Sequence, residues 1–129
     1  MTYRRTNATR SAACDAEVDL LDGGTIEIRT GTQPTNVGDA DQGTLLATLT
    51  FGTPAFGNAS NGVATANAIT SATAVDSGTA GHAVLKTSGS TKHSDCSCGQ
   101  GSGDINFDNN VIVSGGEVDI TSMTITHPV

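Results

Sequence analysis

The stretch "LLDGGTIEIRT", residues 20–30, marks the change of period that decides the fold. Before it, Ala12, Ala13, Ala16, Leu20 and Leu21 recur at helical spacing within "NATRSAACDAEVDLLD". That pattern predicts a helix over 7–22, capped by Asn7 or Ser11 and stopped by Gly23-Gly24. Its alanine-rich face suits close approach to a support, and Cys14 beside that face reads as a buried, inert thiol. After the glycines, Ile26 and Ile28 alternate with Glu27 and Arg29. Period two is the signature of a half-buried strand.

From that strand onward the chain reads as β. "TLLATLTF" (44–51) places Leu45, Ala47, Leu49 and Phe51 on one face, and Phe56 in the next loop reads as an anchor tucked back onto the core. "VATANAIT" (63–70) and "ATAVD" (72–76) are weakly patterned strands, because alanine has poor strand preference. "HAVLKT" (82–87), "DINF" (104–107) and "VIV" (111–113) are clearer. In "EVDITSMTIT" (117–126) the phase changes between Val118/Ile120 and Met123/Ile125. A bulge near Thr121–Ser122 would turn all four inward; the alternative is a strand covered on both faces. Short strands with Gly/Pro/Asn turns predict a mainly β chain: an antiparallel, jelly-roll-like β-sandwich of about eight strands. The expected organisation is a basic N-terminal arm (1–13), a helix (7–22) and one sandwich domain (25–127).

Gly, Ala, Ser and Thr make up about half of the 129 residues, and there is no Trp. Small side chains bury little area each, at roughly 25 cal/mol per Å², so subunit association is a natural supplement. Charge is lopsided. Residues 1–13 carry Arg4, Arg5 and Arg10 and no acid, while the rest holds all 13 acids against Arg29, Lys86 and Lys92. An acidic body argues against nucleic acid as the main partner. No apolar run is long enough to span a bilayer, and the N-terminus lacks the apolar core of a signal peptide. Three cysteines, an odd number, fit a reducing cytoplasm better than a disulfide framework.

The densest set of chemistry-bearing residues is "HSDCSCGQGSGD" (93–104). A metal site from His93, Asp95, Cys96 and Cys98 is conceivable, but C-x-C without a second pair is not zinc spacing. A Cys96–Cys98 disulfide would be strained, and a C-x-x-C redox motif is absent. "GQGSG" lacks the context and the lysine of a phosphate loop. The stretch therefore reads as a flexible hairpin connection into "DINF", without catalytic group or cofactor. "DADQG" (39–43) has the acids of a calcium loop, yet Thr50 stands where its closing glutamate belongs, so it reads as a polar surface turn.

In order along the chain, "GTIEIRTGTQP", "GTLLATLTFGTPAFG", "GVATANAIT", "SGTAGHAVLK", "GSGDINFD" and "VDITSMTIT" resemble a family of small virion proteins of tailed bacteriophages. The resemblance covers residues 18–128 and rests on combined order rather than on a single motif. It implies a non-enzymatic structural protein made in the host cytoplasm and located on the virion. The expected role is a capsid decoration, or cement, protein that binds the major capsid protein, commonly as a trimer at three-fold and quasi-three-fold positions. Arg4, Arg5 and Arg10 are then the expected capsid contacts, guanidinium forks for carboxylates. Relatives carry a cysteine-free turn where "DCSCGQGSGD" stands, so the resemblance implies no role for Cys96 and Cys98. Two other classes compete: a tail or fibre component with a carbohydrate-binding role, and a small metal enzyme centred on the Cys-x-Cys loop.

Overall fold

A computed structural model describes residues 3–99, 105–107 and 109–127. The chain is mainly β and sandwich-like, with one N-terminal helix, as its periodicities predict. The helix α1 spans Asn7–Asp19, and Thr6 caps it, its side chain accepting from the Thr9 N–H. Neither Asn7 nor Ser11 is the cap. The buried stripe is also not the alanine face. Cys14, Val18 and Leu21, spaced four and three apart, are buried, while Ala12, Ala16 and Leu20 are exposed. Larger side chains take the inner face because each removes more apolar area from water.

The strands are β1 (Thr25–Thr30), β2 (Leu45–Thr50), β3 (Val63–Thr65), β4 (Ala72–Thr73) and β5 (Gly78–Lys86). They continue as β6 (Lys92–Gly99), β7 (Ile105–Asn106), β8 (Val111–Ile112), β9 (Glu117–Val118) and β10 (Ser122–Thr126). The main sheet runs β2-β1-β5-β6-β7-β10-β3, with β8 paired to β5, while β4 and β9 form a separate pair. Ladders are antiparallel except β6–β7, which is parallel. The core gathers Ile26 and Ile28 of β1, Leu49 of β2, Leu85 of β5, Ile105 of β7 and Met123 of β10. Phe51 and Phe56 close it, ring centroids 5.6 Å apart and tilted; Phe56 is the anchor its loop position predicts.

Two elements differ from the sequence reading. "KHSDCSCG" is not a hairpin connection but the strand β6, paired with β5 from Lys92 to Ser97; residues 100–104 lie outside the described residues. The terminal stretch is not one bulged strand. β9 ends at Val118 and β10 starts at Ser122 in the other sheet, with the Thr121 N–H donating to the Asn106 carbonyl at 2.9 Å between them. Changing sheets, rather than bulging, brings Val118, Ile120 and Met123 all inward, with Ile125 half-buried.

The placement of β5 sets up the site. It lies between β1 and β6, so both of its edges are paired. Its inward residues Ala83 and Leu85 join the core, whereas Val84 is equally buried but outside that cluster. The segment 31–44 crosses the outer face as a strap, with the Gly31 carbonyl on His82, Gln33 on Asp95 and Asp41 beside Lys86. Its neck closes where the Thr30 N–H donates to Thr44 at 3.1 Å and the Thr44 N–H donates to the Thr30 hydroxyl at 2.9 Å. Gly43 takes φ +72° at the neck, and a Cβ at Gly81 would overlap the Gly31 backbone. Only glycine meets both demands without strain.

Candidate functional site: a strapped charge layer and a clamped helix

Strand alternation sends Glu27 and Arg29 of β1 to the outer face, opposite the core residues Ile26 and Ile28. β5 contributes Lys86, β6 contributes Lys92 and Asp95, and the strap brings Asp41 over them. Arg29 Nη2 lies 3.0 Å from Glu27 Oε1 and 3.7 Å from Asp41 Oδ2. Lys86 Nζ lies 2.9 Å from Glu27 Oε2 and 3.6 Å from Asp41 Oδ2. Lys92 Nζ lies 3.6 Å from Asp41 Oδ1 and 3.7 Å from Asp95 Oδ2. Gln33 of the strap donates to Asp95 Oδ1 at 2.8 Å, and Lys92 donates to the Asp39 carbonyl at 3.3 Å. Three carboxylates thus meet three cations, and those cations are every Lys and Arg beyond residue 13.

The layer is half-buried, so its pairs are screened less than surface pairs are. The hydrogen bond to Glu27 raises Lys86 above the ordinary lysine value, against the opposing pull of burial, with the Glu27 and Asp41 charges adding to the rise. Lys86 is therefore held as an ammonium. It serves as an electrostatic tie between β1, β5 and the strap. Among the described residues Asp41 is the one side chain that reaches all three cations. Local sequence marks "DADQG" as a polar surface turn and does not reveal that Asp41 folds back onto these cations. Its signal was indirect: a body with three cations and 13 acids leaves any acid near those cations a strong candidate for pairing.

The helix is fastened at the opposite end of the chain. Arg10 forks onto the His127 carbonyl through Nε at 3.0 Å and Nη2 at 2.8 Å, while Nη1 donates to Asn7 at 2.7 Å. His127 also meets Glu17, and Cys14 Sγ donates to the Ile125 carbonyl at 3.6 Å. Ser11 and Asp15 accept the backbone N–H groups of Gly62 and Ala59 at 3.1 and 2.7 Å. Burial, then the Glu17 and Asp15 charges, push the Cys14 thiol up, so it stays protonated at neutral pH. An inert thiol is what its position on the helix predicts.

The sequence candidates separate accordingly. Cys96 and Cys98 pack against the core, while Asp95 of the same strand joins the outer layer. His93 Nδ1 sits 2.8 Å from the Ser94 hydroxyl. Alternation along β6 directs the cysteines and Asp95 to opposite faces, so the four do not converge on one ion, and no metal-ligating group of three occurs among the described residues. Of the three arm arginines, Arg10 is bound within the fold, Arg5 is half-buried, and Arg4 is exposed behind Tyr3, itself 80% exposed. The exposed part of the expected arm is thus shorter than 1–13, since the helix begins at Asn7.

A groove of about 330 Å³ opens at the β8–β9 end, lined by Phe107, Val111, Ile112 and Val118 with Glu117 and Asp119 at its rim. Among the described residues no helix is long and apolar enough to cross a membrane. No family model, curated protein or solved structure matches the chain.

Proposed function

We propose that this chain is a structural protein of a tailed-phage particle, a capsid decoration protein that binds the major capsid protein lattice and stabilises the head. The observation that carries the reading is where its positive charge is left available. Arg29, Lys86 and Lys92 are committed to Glu27, Asp41 and Asp95, and Arg10 to the His127 carbonyl. Tyr3 and Arg4 stand exposed on an otherwise acidic body, just ahead of a helix fixed to the sandwich by that same Arg10. A short cationic arm on a rigid mount suits an acidic patch on a neighbouring shell protein, where guanidinium and carboxylate pair. Strands rich in small side chains favour association into a homo-oligomer, a trimer in this reading, because subunit contacts add buried area.

The aromatic residues favour the head over a tail role in carbohydrate binding. Phe51, Phe56 and Phe107 are buried, which leaves Tyr3 as the single exposed aromatic ring on a chain without Trp. Sugar-binding faces ordinarily present several such rings. Particles stripped of this protein by mild heat or low salt test the proposal. They should keep intact heads that rupture more readily, and adding the purified protein back should restore their resistance. Heads unchanged in strength after its loss would contradict a cementing role.

A further inference from the structure

His82 is 0% exposed in the middle of β5, and its Nδ1 lies 3.1 Å from the Gly31 carbonyl at the root of the strap. A carbonyl only accepts, so Nδ1 carries the hydrogen. In the neutral ring Nε2 is then a bare acceptor, and it meets no hydrogen-bond partner among the described residues. One unmet lone pair is tolerable. An imidazolium there would add a charge and a second N–H without an acceptor, at an atom that bulk solvent does not reach.

The surroundings offer that charge one counter-ion, Asp95, which already serves Gln33 and Lys92. From β1, Arg29 stands directly across the ladder from His82, with Glu27 two residues back. On β5 itself the nearest charged residue along the chain is Lys86. From the strap, Asp41 is shared among Arg29, Lys86 and Lys92. From β6, Ser97 is the ladder partner and Asp95 lies one diagonal step away, while His93 is turned to Ser94. Asp95 Oδ2 is the least committed oxygen: it is buried without a hydrogen bond, with only Lys92 at 3.7 Å. Its sister oxygen holds Gln33 of the strap. A protonated His82 has two ways to find a partner: it draws Asp95 away from Gln33, or it lifts the strap to reach water. Both loosen the strap.

We propose that His82 is an acid-operated latch, its neutral ring holding the strap 31–44 closed and its protonation opening it. Opening relieves a charge that the closed strap leaves unsolvated. It bares Val84 and the charge layer, a surface that is covered at neutral pH. The latch stands independently of the capsid reading.

Nuclear magnetic resonance of the full chain, labelled with nitrogen-15 and titrated from about pH 7.5 to about pH 5, tests it over the histidine range. The His82 ring signals and the strap amides should move with one midpoint, and hydrogen exchange at the Thr30 and Thr44 amides should rise with them. His82→Gln keeps a donor for the Gly31 carbonyl and cannot titrate, so its strap should stay closed throughout. His93→Gln should behave as the unsubstituted chain. A strap that opens equally in His82→Gln overturns the proposal, as does a His82 ring that titrates while the strap amides stay still. A ring that remains neutral down to about pH 5 overturns it too. Should His82→Gln fail to fold, the ring and strap midpoints of the unsubstituted chain decide alone.

Discussion

Asp41 holds the strap because its two oxygens reach Arg29, Lys86 and Lys92 together. Asp41→Asn leaves those three cations facing two carboxylates. The expected cost is about 1–2 kcal/mol, between an exposed pair and a buried one, read as a lower urea midpoint with faster hydrogen exchange across 31–44. Lys86 supplies a pH dependence of definite sign. Its folded value is raised, so its contribution is complete below the ordinary lysine value of 10.5 and is lost as pH climbs through the raised one. Cys14 acts in the same direction, since its raised value favours the neutral thiol and stability falls once pH passes the ordinary thiol value of 9.0. Urea midpoints should therefore decline on the alkaline side, and less steeply in Lys86→Met. An equal alkaline decline in that variant would show that the tie to Glu27 contributes nothing. At neutral pH Cys14 should resist alkylation until the chain is unfolded.

At the scale of elements, the helix depends on a few long-range ties more than on its own sequence. Arg10→Ala removes both bonds to the His127 carbonyl and should cost about 1.5–3 kcal/mol, as hydrogen bonds to a charged group do. The loss would appear as a lower thermal midpoint, with the helical circular dichroism signal failing first. β1 was legible because its apolar residues keep period two. The helix and β2 were legible in place but not in face, since Cys14, Val18 and Leu21 rather than the alanines are buried and Leu46 is buried beside Ala47. β6 was not legible, since "KHSDCSCG" has no strong strand former and runs into glycines that signal a turn. Its alternation was nonetheless present, with Cys96 and Cys98 set against Asp95. The strap was invisible for another reason: nothing local in "GTQPTNVGDADQG" tells that it folds back over β5. Only the burial of His82 and Val84, on a strand whose core face is Ala83 and Leu85, reveals the cover.

At the scale of the whole molecule, the body neutralises its own cations and leaves the arm as its cationic projection. The structure moves the useful truncation point. Removing 1–13 would take Arg10 and half of α1 with it, whereas removing 1–5 spares the Thr6 cap and the clamp. The shorter deletion should leave the helix formed and weaken attachment to capsids, most of all at low salt, where exposed ion pairs count most. Equal attachment by the full and truncated chains at every salt concentration would remove the arm from the interface. The most direct measurement is the density of this chain in an intact particle. As a decoration protein it should appear on the head, repeated across the capsid lattice with its arm turned toward the shell. Density confined to the tail, or a handful of copies at one vertex, would contradict that role.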